Sequence, residues 1–218
     1  MIVESTVVGM LQVNCYVLGC EETGQGVVID PGDNGYRVLK LVEGLELDIV
    51  AIPNTHAHFD HVLAVDEVKR ATGAPFWLHQ DDVRVLEAAR TMVKLWMSYD
   101  PGPMPAVDGY IEAGGVLRFG EQELEVRLAP GHSPGSVVFI HHASQQVFSG
   151  DVLFAGSVGR FDFPASDGPT LLRSIRDQLL TLPDDYTVYP GHGPATTIGR
   201  ERRSNPYLQP GAEYLFET

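Results

Sequence analysis

The segment Asn54-Thr55-His56-Ala57-His58-Phe59-Asp60-His61 puts three of the chain's eight histidines and one aspartate into six residues, where an apolar run from Ile49 to Pro53 gives out. Neutral imidazole and carboxylate are the preferred ligands of zinc and similar divalent metals. Alternation along an extended segment sends His56, His58 and Asp60 to one side, and a helix beginning there turns His61 toward the same region. Solvated loop histidines would not explain why an apolar strand feeds such a cluster. Metal binding is the chemistry this segment predicts.

Further candidate ligands stand at turns beside strand-like runs. His132 lies in Ala129-Pro130-Gly131-His132-Ser133-Pro134-Gly135, Asp151 follows Gln146 to Ser149 through Gly150, and His192 lies in Pro190-Gly191-His192-Gly193 after Thr187 to Tyr189. Glycine beside a ligand lets the backbone bend sharply and keeps Cβ bulk away. Singly, each reads as a turn residue. Together with the first cluster they make seven donors, His56, His58, Asp60, His61, His132, Asp151 and His192, enough for two metals with open positions.

The order T-H-A-H-F-D-H, G-H-S-P-G-S, S-G-D and Y-P-G-H-G resembles the metallo-β-lactamase superfamily over nearly the whole chain. Within it the sequence looks most like the short glyoxalase II-like hydrolases, through L-F-A-G-S-V-G-R-F-D-F-P-A-S-D and the ending Y-P-G-H-G-P-A-T-T-I-G-R-E-R-R-S-N-P. The resemblance implies an α/β fold, the αββα sandwich, as a single domain over residues 1–218. It implies one metal on His56, His58 and His132, another on Asp60, His61 and His192, and Asp151 bridging them. Zinc is the foremost candidate, with iron or manganese as alternatives. The implied activity is hydrolysis of small thioesters of the hydroxyacylglutathione type, with Asp60 also a candidate catalytic residue that orients the attacking water. Two departures stand out: the chain ends soon after Pro206, without the helical extension of glyoxalase II, and Pro194 replaces the family's tyrosine two residues past the last histidine ligand. A different reading is the persulfide dioxygenase branch, which resembles the chain in many of the same motifs but uses one iron and consumes oxygen; a binding or regulatory module is a third.

Composition narrows the partners. With 15 basic and 29 acidic residues the net charge is −14, which repels polyanions and argues against nucleic acid, the ribonuclease relatives included, and against anionic membrane as main partners. No stretch approaches a membrane span and the start lacks a signal-peptide pattern, so the expectation is a soluble cytoplasmic enzyme of a small-molecule substrate. Cys15 and Cys20 are too far apart for a C-x-x-C motif and read as reduced, buried thiols.

The elements that must position these donors follow from periodicity. Strands are expected at Ile2 to Gly9, Cys15 to Leu18, Val27 to Asp30, Ile49 to Pro53 and Phe76 to Leu78, with helices at Tyr36 to Val42, His61 to Ala71 and about Asp81 to Met97, the last capped by Asp81 or Asp82. Pro101, Pro103 and Pro105 make a rigid loop. Strands near Val116 to Phe119, Leu124 to Leu128, Val137 to His141 and Gln146 to Ser149 follow, then a helix from about Pro169 to Leu182 and a strand at Thr187 to Tyr189. Two sheets with helices on their outer faces suit this better than a doubly wound parallel sheet.

Several other residues invite a role. Asp30, closing Val27-Val28-Ile29-Asp30, is a candidate either to orient a ligand histidine from behind or to cap a turn. Arg160 and Asp162 are expected to form a buried pair bracing the loop after Asp151. Leu86, Val93, Leu95, Trp96, Met97 and Met104 read as an amphipathic helix or an apolar lid, and Arg200, Arg202 and Arg203 as a substrate-carboxylate site, a solvated patch or a subunit contact. His79, His141 and His142 fit no ligand motif and are expected at the surface or satisfied.

Overall fold

The computed structural model describes residues 1–216, and the chain divides into two compact units, Met1–Ile111 with Leu117–Glu123, and Glu112–Val116 with the chain from Leu124 on. No helix among the described residues is long and apolar enough to cross a membrane.

The first unit holds a six-stranded sheet in sequence order: β1 (Ile2–Val8), β2 (Val13–Gly19), β3 (Gln25–Ile29), β4 (Asp48–Pro53), β5 (Phe76–His79) and β6 (Gly109–Ile111). The first three strands form an antiparallel meander, with Tyr16 opposite Ile29 and Val17 opposite Val28. From β3 onward the pairing is parallel. Parallel neighbours need crossovers, supplied by α1 (Gly35–Gly44), the pair α2 (Phe59–Val62) and α3 (Val65–Thr72), and α4 (Val83–Met97). Helical spacing puts Val38 and Val42 on one face of α1 and Val65 and Val68 on one face of α3, and these faces pack with Val28, Ile52 and Phe76 in a common core. Burying each such side chain stabilises by about 1.5–3 kcal/mol.

The second unit is built on a sheet ordered β14-β13-β10-β9-β8-β7, from β7 (Val116–Phe119), β8 (Gln122–Leu128), β9 (Val137–His141), β10 (Gln146–Gly150), β13 (Thr187–Pro190) and β14 (Thr196–Thr197); residues 117–123, at the β7–β8 turn, group with the first unit. Here β10 and β13 are the parallel neighbours. Between them the chain makes a hairpin, β11 (Leu153–Phe154) with β12 (Ser157–Val158), and the helix α5 (Gly168–Ser174), which runs on as a π-helical turn over Ile175–Leu179; α6 (Ile198–Ser204) follows β14. Leu171, Leu172, Ile175 and Leu179 pack with Val138, Ile140, Val147 and Val188 in this unit's core.

Three expectations need correction. The helix expected over His61 to Ala71 is two, broken where the Ala64 N–H donates to the Pro31 carbonyl at 3.0 Å, tying the α2 end to the turn after β3. Asp82 stands at the start of α4 but its side chain makes no cap bond to that helix. Arg160 and Asp162 do pair, at 2.8 Å, but each side chain is 57% exposed, so the pair is solvated and contributes little.

Candidate metal centre

In each unit, two adjacent parallel strands release their chains at the same sheet edge. In the first unit these are β3, followed by Asp30, and β4, followed by the loop that carries His56, His58, Asp60 and His61. Asp30 takes φ +52°, a left-handed conformation that aspartate tolerates better than most residues, and its buried carboxylate turns into that loop. It accepts from the Thr55 N–H at 2.7 Å, from Thr55 Oγ1 at 2.5 Å and from His61 Nδ1 at 2.9 Å.

These bonds fix two imidazole tautomers. The carboxylate only accepts, so Nδ1 of His61 carries the proton and Nε2 carries the lone pair. The one hydrogen of Thr55 Oγ1 goes to Asp30, so toward His56 Nδ1, 3.1 Å away, the hydroxyl can only accept. His56 therefore also holds its proton on Nδ1 and presents Nε2. The arrangement, a ring nitrogen hydrogen-bonded from behind so that the other serves as ligand, is the usual one for metal-binding histidine. Ligand atoms of Asp30, His56 and His61 lie within 4.8 Å of one another, the His56 ring is 4.1 Å from that of His61 and 4.8 Å from that of His58, and Asp60 Oδ2 is 3.8 Å from His61 Nε2. His56, His58, Asp60 and His61, the four residues expected to converge after β4, lie next to one another in this loop.

The loop's backbone is pinned at two further points. Asn54 Nδ2 donates to the His61 carbonyl at 2.7 Å, and the Ala57 N–H, between His56 and His58, donates to Asp82 Oδ2 at 2.8 Å. A Cβ on Gly32 would lie 1.7 Å from the Asp60 carbonyl oxygen, so the Pro31-Gly32 turn packs on the loop as only glycine can. Asp82, one of the two residues read as helix caps, thus holds the loop of His56 to His61 instead.

The second unit repeats the logic with β10 and β13. Asp151 follows β10, His192 follows β13, and the Gly191 N–H donates to the Gly150 carbonyl at 2.8 Å, locking the two turns side by side. Oδ2 of Asp151 is 3.4 Å from His192 Nε2 and 3.6 Å from His132 Nε2. His132 Nδ1 is 2.8 Å from the Arg160 carbonyl, an acceptor only, so this ring too presents Nε2. A Cβ on Gly159 would lie 1.8 Å from the Asp151 carbonyl oxygen, so the return of the chain beneath Asp151 requires glycine.

The remaining candidates divide. Asp30 is the orienting residue, not merely a turn cap. Arg202 donates to the carbonyls of Leu180 and Leu182 at 2.7 and 2.8 Å and pairs with Asp184, as does Arg203, so both are tied down structurally. His79 accepts from the Asp81 N–H, His141 bonds Ser144, and His142 stands between Tyr186 and Glu125, so all three are satisfied. Leu86 and Val93 are buried, whereas Leu95 and Trp96 are exposed, with the Trp96 ring edge-on to Phe59 at 6.3 Å. Cys15 and Cys20 are free and buried. Burial, with the Asp30 charge adding to it, pushes the Cys15 thiol well above its ordinary value, which suits a core residue and not a thiolate ligand. Sequence reasoning gave no role to Thr55, Asn54 or the Arg160 carbonyl, and offered Asp82 only as a helix cap.

The family model of the metallo-beta-lactamase superfamily matches residues 8–192, a span that takes in every donor from His56 to His192. The chain belongs to that superfamily. It is 40% identical over 202 residues to the probable metallo-hydrolase YqgX of Bacillus subtilis (92% of this chain, 94% of the relative) and 35% identical over 213 residues to the hydroxyacylglutathione hydrolase GloC of Haemophilus influenzae (94% and 97%). Among solved structures it is similar to BLEG-1 B3 metallo-beta-lactamase (TM-score 0.89, 35% identity, 95% of this chain and 100% of that one) and to TTHA1623 in a di-iron-bound form (0.85, 42%, 94% and 100%). ETHE1 from Myxococcus xanthus is also similar (0.83, 27%, 99% and 88%). The fold is that of the family, a mixed α/β structure in which helices flank the sheets, and the chain is of the metallo-hydrolase kind, with donor clusters suited to divalent metals.

Proposed function

We propose that this protein is a dinuclear metal-dependent hydrolase of small thioesters of the hydroxyacylglutathione type, formed as one domain. His56, His58 and His132 would hold one divalent ion, Asp60, His61 and His192 the other, and Asp151 would bridge them. The observation that carries the dinuclear reading is the Asp151 carboxylate, whose Oδ2 is within 3.6 Å of the Nε2 atoms of both His132 and His192. The donor set fits the group: His56, His61 and His132 each present Nε2 because an acceptor holds Nδ1. Zinc is the proposed metal. Bound there, the ions would activate a water as nucleophile and polarise the substrate carbonyl.

The rest of the chemistry falls to the chain's own residues. Asp60, less deeply buried than His61, is proposed to orient the attacking water. His56, His61 and His132 are buried, which limits their contact with bulk water. The thioester assignment draws on the likeness to GloC, and a thiol with pKa about 8.5 departs without needing a proton donor, which matches a donor set without an evident acid.

The likeness to ETHE1 from Myxococcus xanthus favours one alternative on the same fold, a mononuclear iron persulfide dioxygenase. Protein purified without added metal, analysed for zinc, iron and manganese per chain, decides between them together with two assays: S-lactoylglutathione hydrolysis and oxygen uptake with glutathione persulfide. Two ions per chain with thioester turnover and no oxygen uptake is the expected result. One iron with oxygen uptake would overturn the proposal.

A further inference from the structure

The helix α6 carries a buried carboxylate that the proposed chemistry does not use. Glu201 is fully buried, and its three partners are all neutral donors: Thr196 Oγ1 donates to Oε1 at 2.5 Å, while the Gly156 N–H and Asn205 Nδ2, each at 2.8 Å, donate to Oε2. Asn205, one turn further along and also fully buried, donates to the Ser157 carbonyl at 2.9 Å. A buried carboxylate is retained only where such bonds offset its desolvation, so its placement matters.

Two of these partners, Gly156 and Thr196, lie on segments that lead to the unit's proposed donors. Gly156 and Ser157 form the end of the β11–β12 hairpin. One base of that hairpin is Asp151; the other runs through Gly159, which fits beneath the Asp151 carbonyl, to Arg160, whose carbonyl orients His132. Thr196 begins β14, four residues past His192, and is held to β13 across the strand pair Val188 and Thr196. One carboxylate therefore joins the hairpin that sets Asp151 and His132 to the strand that leads out of the His192 turn.

We propose that Glu201, with Asn205, is a positioning residue for the metal centre, holding the Asp151 hairpin and the His192 turn at the spacing two ions need. This deepens the dinuclear reading and rests on it. The motif R-E-R-R-S-N-P at residues 200–206 then acts through Glu201 and Asn205, while Arg202 and Arg203 are engaged with Asp184 and, for Arg202, the Leu180 and Leu182 carbonyls.

The test is cobalt(II) titration of metal-free full-length protein, read as ions bound per chain and as the visible absorption of the bound ion, beside thermal melting of the metal-free form. Glu201→Ala should weaken uptake by about 10- to 100-fold, the usual loss when a support of metal ligands is removed, and alter the cobalt spectrum. Glu201→Gln, which keeps one carbonyl oxygen for Gly156 and can donate to the Thr196 hydroxyl, should recover most of it. Should Glu201→Ala not fold, Thr196→Val cuts only the arm to β14 and should weaken one of the two ions. A folded Glu201→Ala or Thr196→Val protein that takes up two cobalt ions with wild-type strength and spectrum overturns the clamp, even if its melting temperature falls. Wild-type protein that takes up no cobalt overturns the dinuclear reading and the clamp with it.

Discussion

Replacing Asp30 with Asn tests how this protein prepares its histidines. Asparagine accepts the left-handed backbone at φ +52° and has the same shape, so the change is confined to one group of hydrogen-bonding atoms. The amide keeps one acceptor for the Thr55 N–H but turns two donor hydrogens toward Thr55 Oγ1 and His61 Nδ1, both of which now donate. Relief requires His61 to move its proton to Nε2, the nitrogen proposed to bind metal, and frees the Thr55 hydroxyl to stop accepting from His56. A donor left unsatisfied in a buried site costs about 1–3 kcal/mol, which for a chain of this size lowers the melting temperature of the metal-free protein by roughly 2–4 °C per kcal/mol. Metal affinity should fall by about 10- to 100-fold, or about 1.4–2.8 kcal/mol at 1.4 per factor of ten. The assay is competition against a chromophoric chelator, with ions per chain measured at each step. Thr55→Val removes only the relay to His56 and should give a smaller loss, while Thr55→Ser should restore it. Asp30→Asn protein with the wild-type chelator midpoint would refute the tautomer argument.

Asp151→Ala should empty both sites, whereas His192→Ala should weaken mainly one; elemental analysis after dialysis separates the two, and retention of one tight ion in Asp151→Ala would end the bridging assignment. Replacing Arg202 and Arg203 together with Ala should lower the melting temperature while leaving KM equal for anionic and neutral thioesters, because both side chains are spent on Asp184 and backbone carbonyls; a rise in KM for the anionic substrate alone would restore a substrate role. Arg90 first, then Lys94 and the Gly102 N–H, hold the Asp100 carboxyl well below the usual carboxylate range, so its small contribution is present at neutral pH and lost as pH falls through that lowered value; the melting-temperature gap between wild type and Asp100→Asn should narrow below about pH 4. S-lactoylglutathione should be cleaved far faster than its amide analogue or a β-lactam at one metal loading, since an amine must be protonated to leave; comparable kcat/KM for the amide would reveal a general acid not identified among these residues.

How much of this was legible in the sequence depends on distance along the chain. The donors His56, His58, Asp60 and His61 sit in one short segment, so spacing alone brought them together. Strands of seven residues such as β1 and β2 are long enough to be read as strand-like runs, but β11, β12 and β14, of two residues each, are too short to leave one. The supports are invisible for another reason. Asp30 with Thr55 and Asp82 with Ala57 are each 25 residues apart, and nothing local in Leu78-His79-Gln80-Asp81-Asp82 distinguishes a carboxylate that caps its own helix from one that reaches another loop. The Arg160 carbonyl acts through its backbone, so its side chain carried no signal, and the side chain that did draw attention turned out to be a solvated ion pair.

The same topological device explains why the donors of each unit meet. Antiparallel neighbours would deliver the residues after their ends to opposite edges of a sheet; β3 with β4, and β10 with β13, are parallel, so Asp30 and the His56 loop emerge together, as do Asp151 and His192. At that edge the sheet no longer supplies hydrogen bonds, and polar side chains must finish the backbone. Asp30, Asn54 and Asp82 do so in the first unit, and Glu201 and Asn205 in the second. Hence, among the described residues, the buried acids Asp30, Asp82 and Glu201 stand behind the proposed metal donors and Asp151 is itself one, rather than in the ion pairs of the surface. Their removal should be read first in metal affinity, where Arg160–Asp162 or Arg118–Glu123, both exposed, should leave no trace.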